Sequence, residues 1–322
     1  MNKKTLGYLL IILSAVIFST VELSMKAVAG LFAPLQITAI RFLGGGLFLI
    51  PFAVRALKKK GRKLRAGDIR FFLVAGLLFV VLSMVLHQMA ILRAPAGPVA
   101  VLFSCNALFA TLLAGLFLKE PLGPNHFIAL VFEVAAVVVI IRPWQQHLDT
   151  WGVVLALLAA FLYAVYIVVG KKRSAEMGGL VITCGAVLAG SLELILLILL
   201  GNIPAVAALL TRIGLTPLAN VPLIPHLTWA VVPVLLAICV IVTGAGNVFH
   251  MIAVELTSAR EAAVVFFLKP VLAPFFAFLF LHEELGPNMI IGIILFLTGS
   301  AMALWGGNLF GKKKTLETRA DS

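Results

Sequence analysis

Residues 71–92, FFLVAGLLFVVLSMVLHQMAIL, contain no Asp, Glu, Lys or Arg, and further uncharged stretches stand at 5–21, 94–118, 150–170, 227–254 and 285–311. About 20 apolar residues are what an α-helix needs to cross a hydrocarbon layer. Lipid offers the backbone no hydrogen bonds, so a chain with these runs must satisfy its amides internally, as helices do. Windows around 36–54, 121–141, 177–200 and 262–281, each with at most two charges, complete ten expected spans. Composition agrees: 62% of the 322 residues are hydrophobic and 12% charged, which excludes an ordinary water-soluble domain. The expected fold class is therefore an all-α polytopic membrane protein with ten transmembrane helices.

MNKK, an apolar run and AVA at 27–29 have the outline of a secretory leader. Glu22 and Lys26 interrupt that outline, and the run 5–21 exceeds a leader's core, so it reads as the first span. Cys105, Cys184 and Cys239 fall in three different windows with no spacing for a disulfide or zinc. No metal site and no cofactor are expected.

The net charge of +12 is informative through its placement. Eight basic residues between Arg55 and Arg70, the triplet Lys171, Lys172 and Arg173, and the tail cations Lys312, Lys313, Lys314 and Arg319 all fall on one side if ten helices alternate. That side collects 19 of the 25 Lys and Arg, against Arg93, Arg142 and Arg212 opposite. By the positive-inside rule both termini face the cytoplasm across the cell (plasma or inner) membrane. The basic loops then meet anionic headgroups on the cytoplasmic side, and no nucleic-acid partner is expected.

The nonapeptide FLKEPLGPN at 117–125 returns as FLHEELGPN at 280–288. The same offset of 163 pairs His87 with His250, Ala90 with Ala253, Phe103 with Phe266, Ala110 with Ala273 and Glu120 with Glu283. Upstream the offset is 145: TLGYLL at 5–10 faces TWGVVL at 150–155, and Phe18 faces Tyr163. The difference is a longer connection at 201–228, where a short interfacial helix is expected near 204–213. Two halves result, 1–145 and 146–322, each with five spans. Five is odd, so the second copy enters the membrane from the opposite side, the inverted arrangement found in alternating-access carriers.

The chain resembles the drug/metabolite transporters of the EamA type. The likeness lies in KKTLGYLLIILSAVIFST at the start, IRFL in span 2, the two LGPN junctions, and IIGIILFLTG in span 10. It implies a carrier of small metabolites, often outward, with a cavity lined by spans 1, 3, 4, 6, 8 and 9.

Ionisable groups inside spans are costly and normally face protein or a wet cavity. Glu22 and Lys26 share a helical face at i,i+4 and suit a salt bridge, with a cargo-facing role for Glu22 as the alternative. Arg41, beside Gly44, Gly45 and Gly46, reads as an anchor between closely packed helices. Lys269 precedes Pro270 within span 9 and needs a counterion or an anionic cargo; Glu22 and Glu193 are the candidate counterions. Its twin at offset 163 is Asn106. With Glu22, Asn106 and Lys269, the residues Tyr163, Tyr166 and Asn247 make up the expected substrate-binding set. His87 and His250 suit proton coupling or gating. Pro98, Pro270 and Pro274 are the expected hinges, since each removes a helical hydrogen bond or marks a helix start. For Glu133 and Glu193 two readings stay open: they face a second protomer, making a homodimer, or they sit in the helices uncharged.

No nucleophile with a base, no G-x-S-x-G and no Walker loop occurs, so no catalytic residues and no enzyme are expected. The expected function is secondary transport of a small metabolite, an amino acid or a related zwitterionic or amphiphilic compound, by export. A channel-like or receptor membrane module is the alternative.

Overall fold

The computed structural model describes residues 2–119, 123–142, 149–212, 215–222, 229, 231–257 and 264–302. Nearly all of it is helix. The first crossing is built from α1 (Lys3–Ser19) and α2 (Val21–Ala27), separated at Thr20. There Thr20 Oγ1 donates to the Ile17 carbonyl at 2.7 Å, a bond that competes with the helical ladder and tightens the turn. Next come α3 (Pro34–Lys59) and α4 (Ala66–Arg93). Pro34 opens α3, where its missing N–H costs nothing, and Asp68 opens α4 by accepting from Arg65 N at 2.9 Å.

A second broken crossing follows, α5 (Ala96–Ser104) and α6 (Asn106–Leu118), interrupted at Cys105. Then come α7 (Pro124–Ile141), α8 (Thr150–Met177) and α9 (Gly179–Gly201). The interfacial helix is present as α10 (Pro204–Arg212). The described chain ends with α11 (Val232–Val254), α12 (Val264–Leu281) and α13 (Pro287–Met302). Eight of these helical stretches are long and apolar enough to cross a membrane; Leu268–Leu281 and Pro287–Met302 are shorter apolar helices. Leu116, Phe117, Val131 and Leu192 point outward with more than half their surface bare. That arrangement suits hydrocarbon, and this is a multi-pass membrane protein.

Two local features shape the interior. Residues Leu77–Met84 of α4 and Ala237–Ala245 of α11 wind as wide π turns, which rotate the following side chains relative to a regular helix. Helix α3 packs on α9 and on the π turn of α11 through Gly44–Gly46. A Cβ added at Gly45 would stand 2.6 Å from Thr243 Cγ2, so only glycine admits this approach.

The two ends of the bundle differ. Toward the ends of α2 and α4 and the start of α5, Met25, Ile91 and Leu102 are sealed in one apolar cluster with Val99, Ala156 and Ile238. Toward the C-terminal end of α8 the interior holds a cavity.

Candidate functional site

The cavity has a volume of about 480 Å³. Phe42, Phe79, Phe103 and Tyr163 supply much of its apolar wall, and Lys171, Ser174 and Gly179 line it at the α8–α9 end. Of the expected binding set, Asn106, Tyr163, Tyr166, Asn247 and Lys269 all line it, as do His87 and His250. Helices α3 and α9, outside the lining expected from the resemblance, contribute too, through Arg41, Phe42, Ile182 and Thr183.

Glu22 does not form part of the wall; it lies behind Lys269, 1% exposed. Its Oε1 is 2.8 Å from Lys269 Nζ and 3.3 Å from His87 Nε2, so α2, α4 and α12 meet at one carboxylate. Lys269 also sits 5.1 Å from the Phe103 ring centroid, and the Phe103 and His87 rings are 4.4 Å apart. The expected Glu22–Lys26 pair does not form. Both residues lie within α2, but Lys26 sits beside the end of α4 and donates to the carbonyls of Ile91 and Ala94 at 2.8 and 3.0 Å, while Glu22 turns to Lys269 and His87. Carbonyls in a last helical turn lack intrahelical donors and accept such a cation readily.

The aromatic side of the cavity is ordered by stacking. Phe79 lies on Tyr166 at 4.6 Å with 17° between the planes, and Tyr163 is 5.2 Å from Phe79 and 5.5 Å from Phe103. Tyr166 Oη and Thr183 Oγ1 approach to 3.4 Å. Asn106 stands just past the Cys105 break, its Nδ2 donating to the Phe103 carbonyl at 2.6 Å; Asn247 Nδ2 donates to the Thr243 carbonyl at 2.7 Å. Each amide has two donor hydrogens and an acceptor oxygen, and these bonds use one donor apiece. His250 lies between Phe18 and Phe266, at 6.0 and 5.6 Å.

Of the three expected hinge prolines, Pro270 and Pro274 lie buried inside α12, which remains continuous, and Pro98 lies half-buried in the first turn of α5. The interruption in that crossing is at Cys105, deeper than Pro98. Glu283 is fixed away from the cavity: its two carboxylate oxygens accept from Ala96 N at 2.6 Å and Gly97 N at 2.9 Å. Its counterpart Glu120 lies outside the described residues. Glu133 accepts from Ser300 Oγ at 3.3 Å between α7 and α13, and Glu193 is half-buried on α9; neither lines the cavity. Among the described residues no cluster of His, Cys, Asp and Glu could hold a metal ion.

Arg41, read from sequence as a packing anchor, is on the cavity wall. The π turns that carry Phe79 and Thr243 inward had no signature in the sequence.

The model of the EamA-like transporter family matches residues 5–142 and 150–305. The chain belongs to the EamA-like transporter family. Among curated EamA-type relatives, an uncharacterized transporter of Clostridium kluyveri is 32% identical over 303 residues, covering 91% of each chain. The threonine/homoserine exporter RhtA of Escherichia coli K12 is 25% identical over 80% of this chain and 77% of its own. One solved crystal structure aligns with 93% of this chain and 97% of its own at a TM-score of 0.61 and 18% identity, a likeness of fold.

Proposed function

We propose that this EamA transporter carries a small metabolite, an amino acid or a related zwitterionic or amphiphilic compound, outward by alternating access between two inverted five-helix halves, 1–145 and 146–322. The observation that carries the reading is the cavity: it reaches the α8–α9 end and stops at the Glu22–Lys269–His87 cluster, beyond which the apolar cluster is sealed. A binding chamber accessible from one side is what one state of such a carrier requires. With the basic loops inside, Lys171 marks the cytoplasmic end, and the conformation is inward-open. The repeat offsets of the sequence supply the two halves and ten spans. Export and the amino-acid class draw on the likeness to the threonine/homoserine exporter.

The test is flux in vesicles containing the purified full chain. Preloaded unlabelled threonine or homoserine should accelerate uptake of the labelled compound, and the rate should saturate. An ohmic current without counterflow would favour the channel-like module.

A further inference from the structure

We propose that Arg41 is the residue that recognises the cargo, and that it does so by taking a single carboxylate group; the inference rests on the carrier reading above and names the chemistry of its binding site. Arg41 is 6% exposed and lines the cavity. Its contacts are unusual for a structural guanidinium. One terminal nitrogen meets Met84 Sδ at 3.5 Å, and the group lies 4.3 Å from the Phe42 ring centroid. Among the described residues no carboxylate pairs with it, and its Nε, fully out of solvent, has no hydrogen-bond partner. A guanidinium carries five N–H donors in a planar fork, and the one bond shown for it here goes to the weak acceptor Met84 Sδ.

Charge balance gives the class of ligand. The described cavity wall contains Arg41, Lys171 and Lys269, with His87 and His250, and no Asp or Glu. Glu22 compensates Lys269 at 2.8 Å, and Lys171 lies at the exposed mouth. One buried positive charge is left over, and burying it without a partner is costly. A carboxylate matches it in charge and fits the fork through two parallel N–H···O bonds. A phosphate monoester would bring a second negative charge, for which the inner wall has no further cation free of a carboxylate, since Lys269 is held by Glu22. Phe42, Phe79 and Tyr163 would take an apolar body attached to the carboxylate.

The experiment compares acids with their amides on the purified full chain. Binding of L-threonine, L-leucine and 3-phenylpropanoate, and of the three carboxamides, is measured by titrated thermal shift in detergent, and counterflow of each is measured in vesicles. At least one acid should bind about tenfold or more tightly than its amide. Arg41→Gln should bring that acid down to the level of its amide, and Arg41→Lys, which keeps the charge and loses the fork, should retain part of the preference. Size exclusion and the ligand-free melting temperature establish that each variant folds; if Arg41→Gln does not, Arg41→Lys decides. Equal binding of every acid and its amide, absence of binding by all three acids at millimolar concentration, or an undiminished preference in the variants would overturn the proposal. Saturable counterflow with no acid preference would leave the carrier reading standing and reject Arg41. Arg41-dependent binding of acids without flux would do the reverse.

Discussion

The two ends of the helical bundle are built from the same kinds of side chain and behave as opposites. At one end Met25, Ile91 and Leu102 interlock with no gap, Lys26 ties α2 to the carbonyls of Ile91 and Ala94, and Glu283 holds the first two amides of α5. At the other, Lys171, Ser174 and Gly179 line the cavity, and the start of α4 is laced to the preceding loop and to α8 through Asp68, which meets Arg62 at 3.0 Å and Arg173 at 2.8 Å. The polar contacts that close the first end reach across between helices far apart in sequence. Those at the second tie the α3–α4 loop and the first turn of α4 to α8. Under the proposed alternating access, these few charge-assisted bonds over an apolar plug are what rocking would make and break.

The charged layer between the ends should give the largest effect when broken. Lys269→Met leaves Glu22 buried beside His87 alone, and Glu22→Gln leaves Lys269 without its carboxylate. Removing one member of a buried pair costs on the order of 3–5 kcal/mol because the other charge stays buried. Each single variant should lose a hundredfold or more in transport and melt well below the parent protein. The double variant Glu22→Gln/Lys269→Met should recover much of the melting temperature and none of the transport. Transport near the parental rate in either single variant would remove this layer from the comparison.

Glu283 offers the next test, at the closed end itself. A carboxylate accepting two backbone N–H bonds at a helix start gains from both charge and dipole, about 1.5–3 kcal/mol per bond to a charged group. Glu283→Gln keeps the shape and halves the acceptor capacity. The sealed end should open more often, so a cysteine at buried Val99 should react several-fold faster with an impermeant thiol reagent applied from outside. Turnover should shift by a similar factor, with cargo affinity little changed. Unaltered labelling would mean that the apolar plug alone holds that end shut.

Much of this was legible in the sequence, and the reasons differ by residue. The uncharged runs give the helices because lipid leaves no alternative. Lys269, Asn106 and the tyrosines could be picked out because polar groups are rare enough in spans to be noticed. Glu22 stands out in the same way, and of its two expected partners the structure gives Lys269 at 2.8 Å, while Lys26 turns to the carbonyls of Ile91 and Ala94; a helical spacing of four says which face two residues share and cannot choose between a neighbour on that face and a cation brought from another span. Arg41 was read through its neighbouring glycines, which do pack as expected, while the guanidinium itself turns to the cavity. The π turns depend on tertiary packing and leave no local pattern.

The smallest expected effect concerns Pro270, which links the two ends because α12 carries Lys269 at the cavity and Pro274 at the closed end, where a Cβ on Gly97 would lie 3.4 Å from Pro274. Pro270 has no N–H, so the carbonyl of Phe266 lacks its helical donor, and Pro274 does the same to the carbonyl of Pro270. A helix with two missing rungs bends at low cost between its ends. Pro270→Ala restores one rung and stiffens α12 without touching the Lys269–Glu22 pair. Binding measured at equilibrium should stay within about twofold, while turnover falls a few-fold because bending between the two closures becomes harder. If binding and turnover fall together, Pro270 shapes the site and is no hinge. If neither moves, the two ends open and close around another point, and the Cys105 interruption between α5 and α6 is the place to substitute next.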